Sequence, residues 1–329
     1  MITAIRRNNE CDAIVKWRLT RNCNFKCSYC IQQECRKIQG FFGTLEEDIK
    51  KCMSAVKNVS RIIDEMPSDD VRLTLVGGEC TLFDLEELLS KITSKKMKSV
   101  YIVTNFHKKT GYFKSLADML SKRECKLSLC ASWHAEFLSF EEYSSKMLEL
   151  KKYPNISIKG EKGILKGDAD NIEKFIQFCK DNDIPYLTDY DSRERLTDED
   201  KEERKKFATI HKLPSARIFT DNGTTEDILS LSELLTGDVD CESDCQKAKG
   251  QKGFRAKGWY CSRDMDNVYI MQNIHMGTSE GECRQFSNLS QFHPSKVPIK
   301  CPFSVCNLCG GMSIAQDREL FDKIMKETF

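Results

Sequence analysis

From Ala13 to about Lys212 the apolar and polar positions alternate between two periods. Short apolar runs of strand length, Ile14–Leu19, Val71–Val76, Ser99–Thr104, Lys126–Trp133, Ile156–Leu165 and Ile184–Asp189, are followed by segments with helical spacing. The helical segments carry start signals: Thr44 is followed at plus three by Glu47, and Asp170 by Glu173, each the pattern of a capping box. After Thr44, the residues Ile49, Met53, Val56, Val59 and Ile63 fall at spacings of four, three, three and four, which is one helix face. Asp170 is expected to open another helix, with Ile172, Phe175, Ile176 and Cys179 facing inward.

Six strand–helix units in series predict a parallel sheet covered by helices. Right-handed crossovers would curl the series into an open barrel. The expected fold class is therefore α/β, a partial (β/α)6 barrel followed by a small cysteine-rich domain. Chemistry in such barrels sits at the C-terminal ends of the strands. A cysteine loop, Cys23 to Cys30, follows the first strand, and Gly77-Gly78-Glu79 follows the second. Thr104-Asn105, Ser132-Trp133-His134 and the segment from Asp189 to Arg195 occupy later strand ends.

The alternation stops after Leu213-Pro214. A hairpin is expected there: Ala216–Thr220, the turn Asp221-Asn222-Gly223, then Thr224–Leu229. Asn267 to Met271 reads as a strand, and Phe321, Ile324 and Met325 suggest a short amphipathic C-terminal helix. The expected division is 1–213, 214–310 and 311–329.

At 329 residues the length favours about two domains. Lys and Arg number 51 against 50 Asp and Glu, a net charge of +1, so charge gives no argument for nucleic acid or an anionic membrane. Met1 to Glu10 is polar, without the apolar core of a signal peptide. No apolar run approaches the roughly 18–20 residues of a membrane span. A cytoplasmic protein is expected. The charged stretch Asp198 to Lys206 reads as a solvated helix face, with a partner surface as the other reading.

Seventeen cysteines change this picture. The number is odd and no export signal is present, which argues against disulfides and leaves metal ligation and buried thiols. Cys52, Cys125, Cys130 and Cys179 lie in periodic apolar segments and are expected to be core thiols. Cys11, Cys35 and Cys80 stay open. Cys23, Cys27 and Cys30, spaced C-x3-C-x2-C, put three thiolates on one loop. Three thiolates can hold three irons of a [4Fe–4S] cube and leave the fourth open to a reactant. Zinc, with Cys35 as a fourth ligand, is the competing reading. Seven more cysteines, at 241, 245, 261, 283, 301, 306 and 309, crowd a segment poor in apolar periodicity, where metal ligation would supply folding free energy. Four thiolates there suit iron–sulfur or zinc.

The cysteine spacing, Tyr29 before the last cysteine, Gly77-Gly78-Glu79 and the six units together resemble the radical S-adenosylmethionine (radical SAM) enzymes over roughly Ala13 to Lys212. The resemblance implies that Cys23, Cys27 and Cys30 hold a [4Fe–4S] cluster whose open iron takes the amino and carboxylate groups of S-adenosylmethionine. Reductive cleavage would yield a 5′-deoxyadenosyl radical that abstracts a substrate hydrogen. Gly77 and Gly78 would let backbone approach a ligand closely. Glu79 or its adjacent backbone would meet the cofactor's amino group. Tyr29 would sit near the adenine, or else serve as a packing aromatic. Asn105 and Ser132 would be ribose or carboxylate contacts. His134 reads either as a cofactor contact or proton donor, or as a polar residue of the barrel rim.

The later cysteines are similar to the SPASM or twitch extension of that family. By this resemblance Cys261, Cys283, Cys306 and Cys309 would ligate one auxiliary [4Fe–4S] cluster. Cys301 could replace one of them, and Cys241 or Cys245 could complete or protect the site. Neither Gly277 nor Gly281 reproduces the usual glycine-to-cysteine interval, and the dense late cysteine run of the full extension is absent, so one auxiliary cluster is expected. An electron donor such as flavodoxin or ferredoxin is implied. The expected substrate is a peptide or protein to be modified or cross-linked. A first strand near residue 14 is expected to leave no room for a leader-binding domain, which keeps oxidation or rearrangement of a small molecule (a sugar, aminocyclitol or nucleotide) as the alternative. A non-catalytic metal-binding protein is the reading from another class.

Overall fold

The computed structural model describes residues 1–7, 13–30, 43–165, 167–190, 216–228, 237–238, 252–253, 258–276, 289–301 and 313–326. The features expected at Cys11, Cys35, 198–206, Cys241, Cys245, Gly277, Gly281, Cys283, Cys306 and Cys309 lie outside the described residues, as does most of the segment from Asp189 to Arg195. The chain divides into two compact units. One comprises Lys16–Ser60 and Arg72–His211, the other Met1–Val15, Arg61–Val71 and Lys212–Phe329. The N-terminal strand and the Arg61–Val71 stretch thus group with the C-terminal segment, which the sequence pattern did not indicate.

The elements run from β1 (Ile2–Arg7) through β2 (Ala13–Thr20), α1 (Leu45–Glu65), β3 (Val71–Gly77), α2 (Leu85–Ser90), β4 (Met97–Thr104) and α3 (Thr110–Ser121). They continue with β5 (Lys126–Ser132), α4 (Phe140–Lys151), β6 (Ile156–Ile164), α5 (Ala169–Asp181) and β7 (Tyr186–Tyr190). All six expected strands form, as β2 to β7. They lie side by side in sequence order. The ladders β4–β5, β5–β6 and β6–β7 are parallel. This is an α/β sheet wound in one direction, with helices packed on one face.

Period-two alternation decides which side faces the helices. In β2 the side chains of Ala13, Val15, Trp17 and Leu19 are fully buried, and Lys16 and Arg18 between them are half-buried. Leu73 and Leu75, Val100 and Ile102, and Leu127 and Leu129 repeat the pattern on the next three strands. Each such side chain contributes up to about 1.5–3 kcal/mol of burial. Gly160 on β6 makes room for the aromatic layer beneath the helices. A β-carbon there would meet the Phe175 ring and the Tyr143 hydroxyl, both at 3.0 Å. Trp133 stacks on Tyr143 and Phe175 in the same layer. Cys52, Cys125, Cys130 and Cys179 are buried, as their apolar settings predicted, and so is Cys80.

The capping box of α1 forms in full. The Thr44 N–H donates to Glu47 Oε2 at 2.9 Å, and the Glu47 N–H to Thr44 Oγ1 at 3.2 Å. The one expected at Asp170 does not form. Helix α5 starts two residues earlier, capped at Asp168, whose carboxylate makes no cap bond because Lys162 and the Asn171 amide occupy it.

In the other unit β8 (Ala216–Thr220) and β9 (Thr225–Ile228) form the expected hairpin, with Gly223 at φ +80° in its turn. The short β10 (Gly237–Asp238) and β11 (Lys252–Gly253) pair with each other. Then come β12 (Tyr260–Cys261), β13 (Asn267–Met271), β14 (Ile274–Met276), β15 (Ile299–Lys300), β16 (Ile314–Ala315) and α6 (Arg318–Ile324). A six-stranded sheet runs β15-β12-β16-β1-β8-β9. The N-terminal segment, read as merely polar, supplies β1 between β16 and β8. Ala4, Phe219, Ala315, Phe321 and Ile324 make its core, so the apolar residues expected of the C-terminal helix do face inward.

Candidate functional site at the strand ends

The ends of β2 and β3 are tied backbone to backbone. The Gly78 N–H donates to the Thr20 carbonyl and the Glu79 N–H to the Asn22 carbonyl, both at 2.9 Å. This contact explains the glycine pair. A β-carbon on Gly77 would lie 2.3 Å from the Thr20 carbonyl oxygen, and one on Gly78 2.2 Å from that of Asn22. The close approach permitted here is to the cysteine loop itself. Helix α1 holds the same loop from the other side. Asp48 accepts from the Thr20 hydroxyl at 2.6 Å and from the Asn22 amide at 3.1 Å.

Glu79 is fully buried and its carboxylate is occupied by the protein. Oε1 accepts from the Thr81 N–H, the Thr81 hydroxyl and the Thr104 hydroxyl, and Oε2 accepts from the Asn105 N–H at 2.6 Å. Burial nevertheless holds its pKa above the ordinary carboxylate value. The side chain therefore locks the ends of β3 and β4 together, and the backbone beside it is tied to the cysteine loop.

The three thiols share one loop. The Cys30 N–H donates to the Cys27 carbonyl at 3.1 Å, closing a turn. Cys23 receives the Phe25 N–H at 3.4 Å and the Asn105 amide at 3.5 Å. Burial raises the Cys23 pKa. Burial, then the charges of Cys30 and Cys23, push Cys27 up to about 11. Among the described residues no three His, Cys, Asp or Glu side chains stand close enough to hold a metal ion together. The thiols are neighbours rather than a formed cage. The donor set fits an iron–sulfur centre in kind: three sulfurs, one of them, that of Cys23, supported by two N–H donors, and mutual repulsion between thiolates that bound cationic iron relieves.

His134, two residues beyond the end of β5, joins this group. Its Nδ1 lies 2.7 Å from the Tyr29 hydroxyl and 3.6 Å from Cys27 Sγ, and its ring stacks on Tyr29. Burial, aided by the positive charge of Lys162, lowers its pKa to about 4. The imidazole is neutral at pH 7, and its Nδ1 and the Tyr29 hydroxyl share one hydrogen bond. Burial raises the Tyr29 hydroxyl well above its ordinary value. Phe25 stacks on Phe137 with centroids 4.8 Å apart and shields this side of the loop. Ser132 is not part of the thiol group. Its hydroxyl donates to Glu161 Oε2 at 2.7 Å.

The sequence reading missed Asp48, Glu136, Glu161 and Lys162. Glu136 accepts the Ser28 N–H at 2.9 Å and so fixes the loop between Cys27 and Cys30. Lys162 is almost fully buried and pairs with Asp168. The run Lys159-Gly160-Glu161-Lys162-Gly163 carried a signal for the last two, since charges inside a strand-length run need partners.

In the other unit Cys261 and Cys301 are both buried. Cys261 lies opposite Ile299 in the β12–β15 ladder, and the Cys301 N–H donates to the Trp259 carbonyl at 2.7 Å. Residues two apart share a face, so Cys261 and Cys301 lie diagonally on the same face of this ladder. Cys283, Cys306 and Cys309 are outside the described residues.

No family model matches the chain, and no curated protein matches it. Among the described residues no helix is long and apolar enough to cross a membrane.

Proposed function

We propose that the chain is a radical SAM enzyme: a partial (β/α)6 barrel with a [4Fe–4S] site at its strand ends, and a second unit carrying an auxiliary cluster. The observation that carries this reading is the backbone tie between Thr20–Asn22 and Gly78–Glu79. It sets the C-x3-C-x2-C loop against the Gly-Gly-Glu loop at one end of a sheet whose strands follow sequence order. An unreversed strand order suits a barrel, since a doubly wound sheet reverses at its switch point.

When bound, the cluster supplies the electron that cleaves S-adenosylmethionine to the radical that takes a hydrogen from the substrate. Cys23, Cys27 and Cys30 would hold it, and the Asn105 amide supports the Cys23 sulfur. The Gly77-Gly78-Glu79 loop, tied to the cysteine loop, would border the cofactor's amino acid end. Tyr29 and His134 present a stacked, neutral pair. Ser132 and Glu161 offer a hydroxyl and a carboxylate that suit ribose hydroxyls. The substrate is a peptide or protein, and a flavodoxin or ferredoxin is the electron donor.

Anaerobic reconstitution with iron and sulfide, followed by reductant and S-adenosylmethionine, tests the proposal. 5′-Deoxyadenosine is expected from the wild type and not from Cys27→Ala. None from iron-loaded wild type, with or without peptide, overturns it.

A further inference from the structure

Among the described residues the Cys23 sulfur receives two N–H donors, the Phe25 N–H and the Asn105 amide, and both lead to His107. The Phe25 ring packs edge-on against the His107 ring, centroids 6.4 Å apart. Asn105 Oδ1 accepts the His107 N–H at 3.2 Å and lies 3.0 Å from His107 Nδ1. An amide oxygen only accepts, so Nδ1 carries the proton of that bond. The Thr81 hydroxyl, 3.4 Å from the same nitrogen, gives its own proton to Glu79 Oε1, which leaves its oxygen to accept as well.

The backbone is bent to bring His107 here. Phe106 has φ +63°, a left-handed conformation uncommon for a bulky side chain. Its ring stays in the core against Phe113 and Tyr143, while the bend turns His107 back onto Asn105. Such conformations persist where the surrounding contacts over-determine them. Asn105 is thereby held at its N–H and at both ends of its amide. The N–H goes to Glu79 Oε2 at 2.6 Å, Oδ1 takes two donors, and Nδ2 is shared between Asn24 Oδ1 at 2.9 Å and Cys23 Sγ at 3.5 Å. Turning the amide over would set its NH2 against two donors and take the N–H away from the sulfur. A donor on a ligating sulfur stabilises the more negative, reduced state of a cluster. We infer that His107 is a positioning residue whose ring holds the Asn105 amide on Cys23 and so raises the reduction potential of the cluster this loop would carry, an inference that rests on the function proposed above.

The test is a redox titration followed by electron paramagnetic resonance on the full-length reconstituted protein. The signal missing from Cys27→Ala identifies the loop cluster. His107→Leu is expected to lower its one-electron reduction constant about tenfold, roughly 59 mV toward more negative potential. His107→Ala should repeat that shift without the added bulk. His107→Asn, whose Nδ2 can stand where Nδ1 stood, is expected to keep the wild-type potential. On an Asn105→Ala background His107→Leu should add nothing, because its effect runs through the amide. A midpoint unmoved in both His107→Leu and His107→Ala, an equal shift in His107→Asn, or an additive shift on the Asn105→Ala background would each overturn the inference and leave the cluster standing. Loss of iron from both His107→Leu and His107→Ala would make His107 a folding residue and overturn it too. A wild type with no signal that depends on Cys27 would overturn the function proposed above along with it.

Discussion

A β-carbon on Gly78 has nowhere to go, because the Asn22 carbonyl oxygen, 2.2 Å away, is backbone held in place by Thr20 and Asp48. Gly78→Ala must push the cysteine loop off the end of β3. The expected cost is about 1–3 kcal/mol, the range of overpacking, together with reduced iron uptake. Gly111→Ala, in α3 with no atom within 4 Å of its new carbon, is the matched control and should be neutral or stabilising. Thermal unfolding with iron analysis checks both. A second residue gives a pH dependence. Asp266 is buried, and burial raises its pKa from 3.8 to about 7 in the fold. The folded state thus binds a proton that the unfolded chain releases. Stability falls as pH rises through the window between those two values. Asp266→Asn removes this loss. The difference in melting temperature between variant and wild type should grow in the variant's favour from pH 5 to pH 8, with a stability change of up to a few kcal/mol. A difference that stays flat with pH would count against it.

Helix α1 and the strand β2 it follows act as one device. The box of Thr44 and Glu47 fixes where α1 starts, and that start puts Asp48 against Thr20 and Asn22. Asp48→Ala leaves a buried hydroxyl and amide short of an acceptor, at about 1–3 kcal/mol, and should lower iron loading while the far-UV spectrum stays native. Loss of secondary structure instead would make Asp48 a folding residue rather than a loop anchor. The elements themselves were legible because their signals are local. Leu127 and Leu129 alternate with Ser128 and Cys130, and Val56, Val59 and Ile63 fall on one helix face. β1 was not legible, since Ile2–Arg7 is paired by β8 and β16, more than two hundred residues away in the chain. The same holds at the site. The cysteine spacing announced the loop, but nothing local told that Gly78 faces backbone, that Glu79 is consumed by Thr81, Thr104 and Asn105, or that Glu136 grips Ser28. These are facts about strands brought together, and the start of α5 moved for the same reason, through the Lys162 partner of Asp168.

At the scale of the whole chain the proposal requires two separable iron sites, one in each compact unit. Cys23, Cys27 and Cys30 belong to one unit, and Cys261 and Cys301 to the other. The shared face of Cys261 and Cys301 makes Cys301 the natural companion of Cys261 among the described residues. Full reconstitution should therefore load about eight irons per chain, two cubes of four. Changing all three loop cysteines to Ala should remove about half of that iron and abolish 5′-deoxyadenosine. Cys261→Ala and Cys301→Ala should each remove the other half and leave cofactor cleavage measurable. The contrast between the two cysteines is what discriminates. Iron that falls with Cys261→Ala but not with Cys301→Ala would mean that the ligand set is completed beyond the β12–β15 ladder. Iron unchanged in both would leave the second unit without a cluster, its buried thiols serving as core side chains like Cys52 and Cys179.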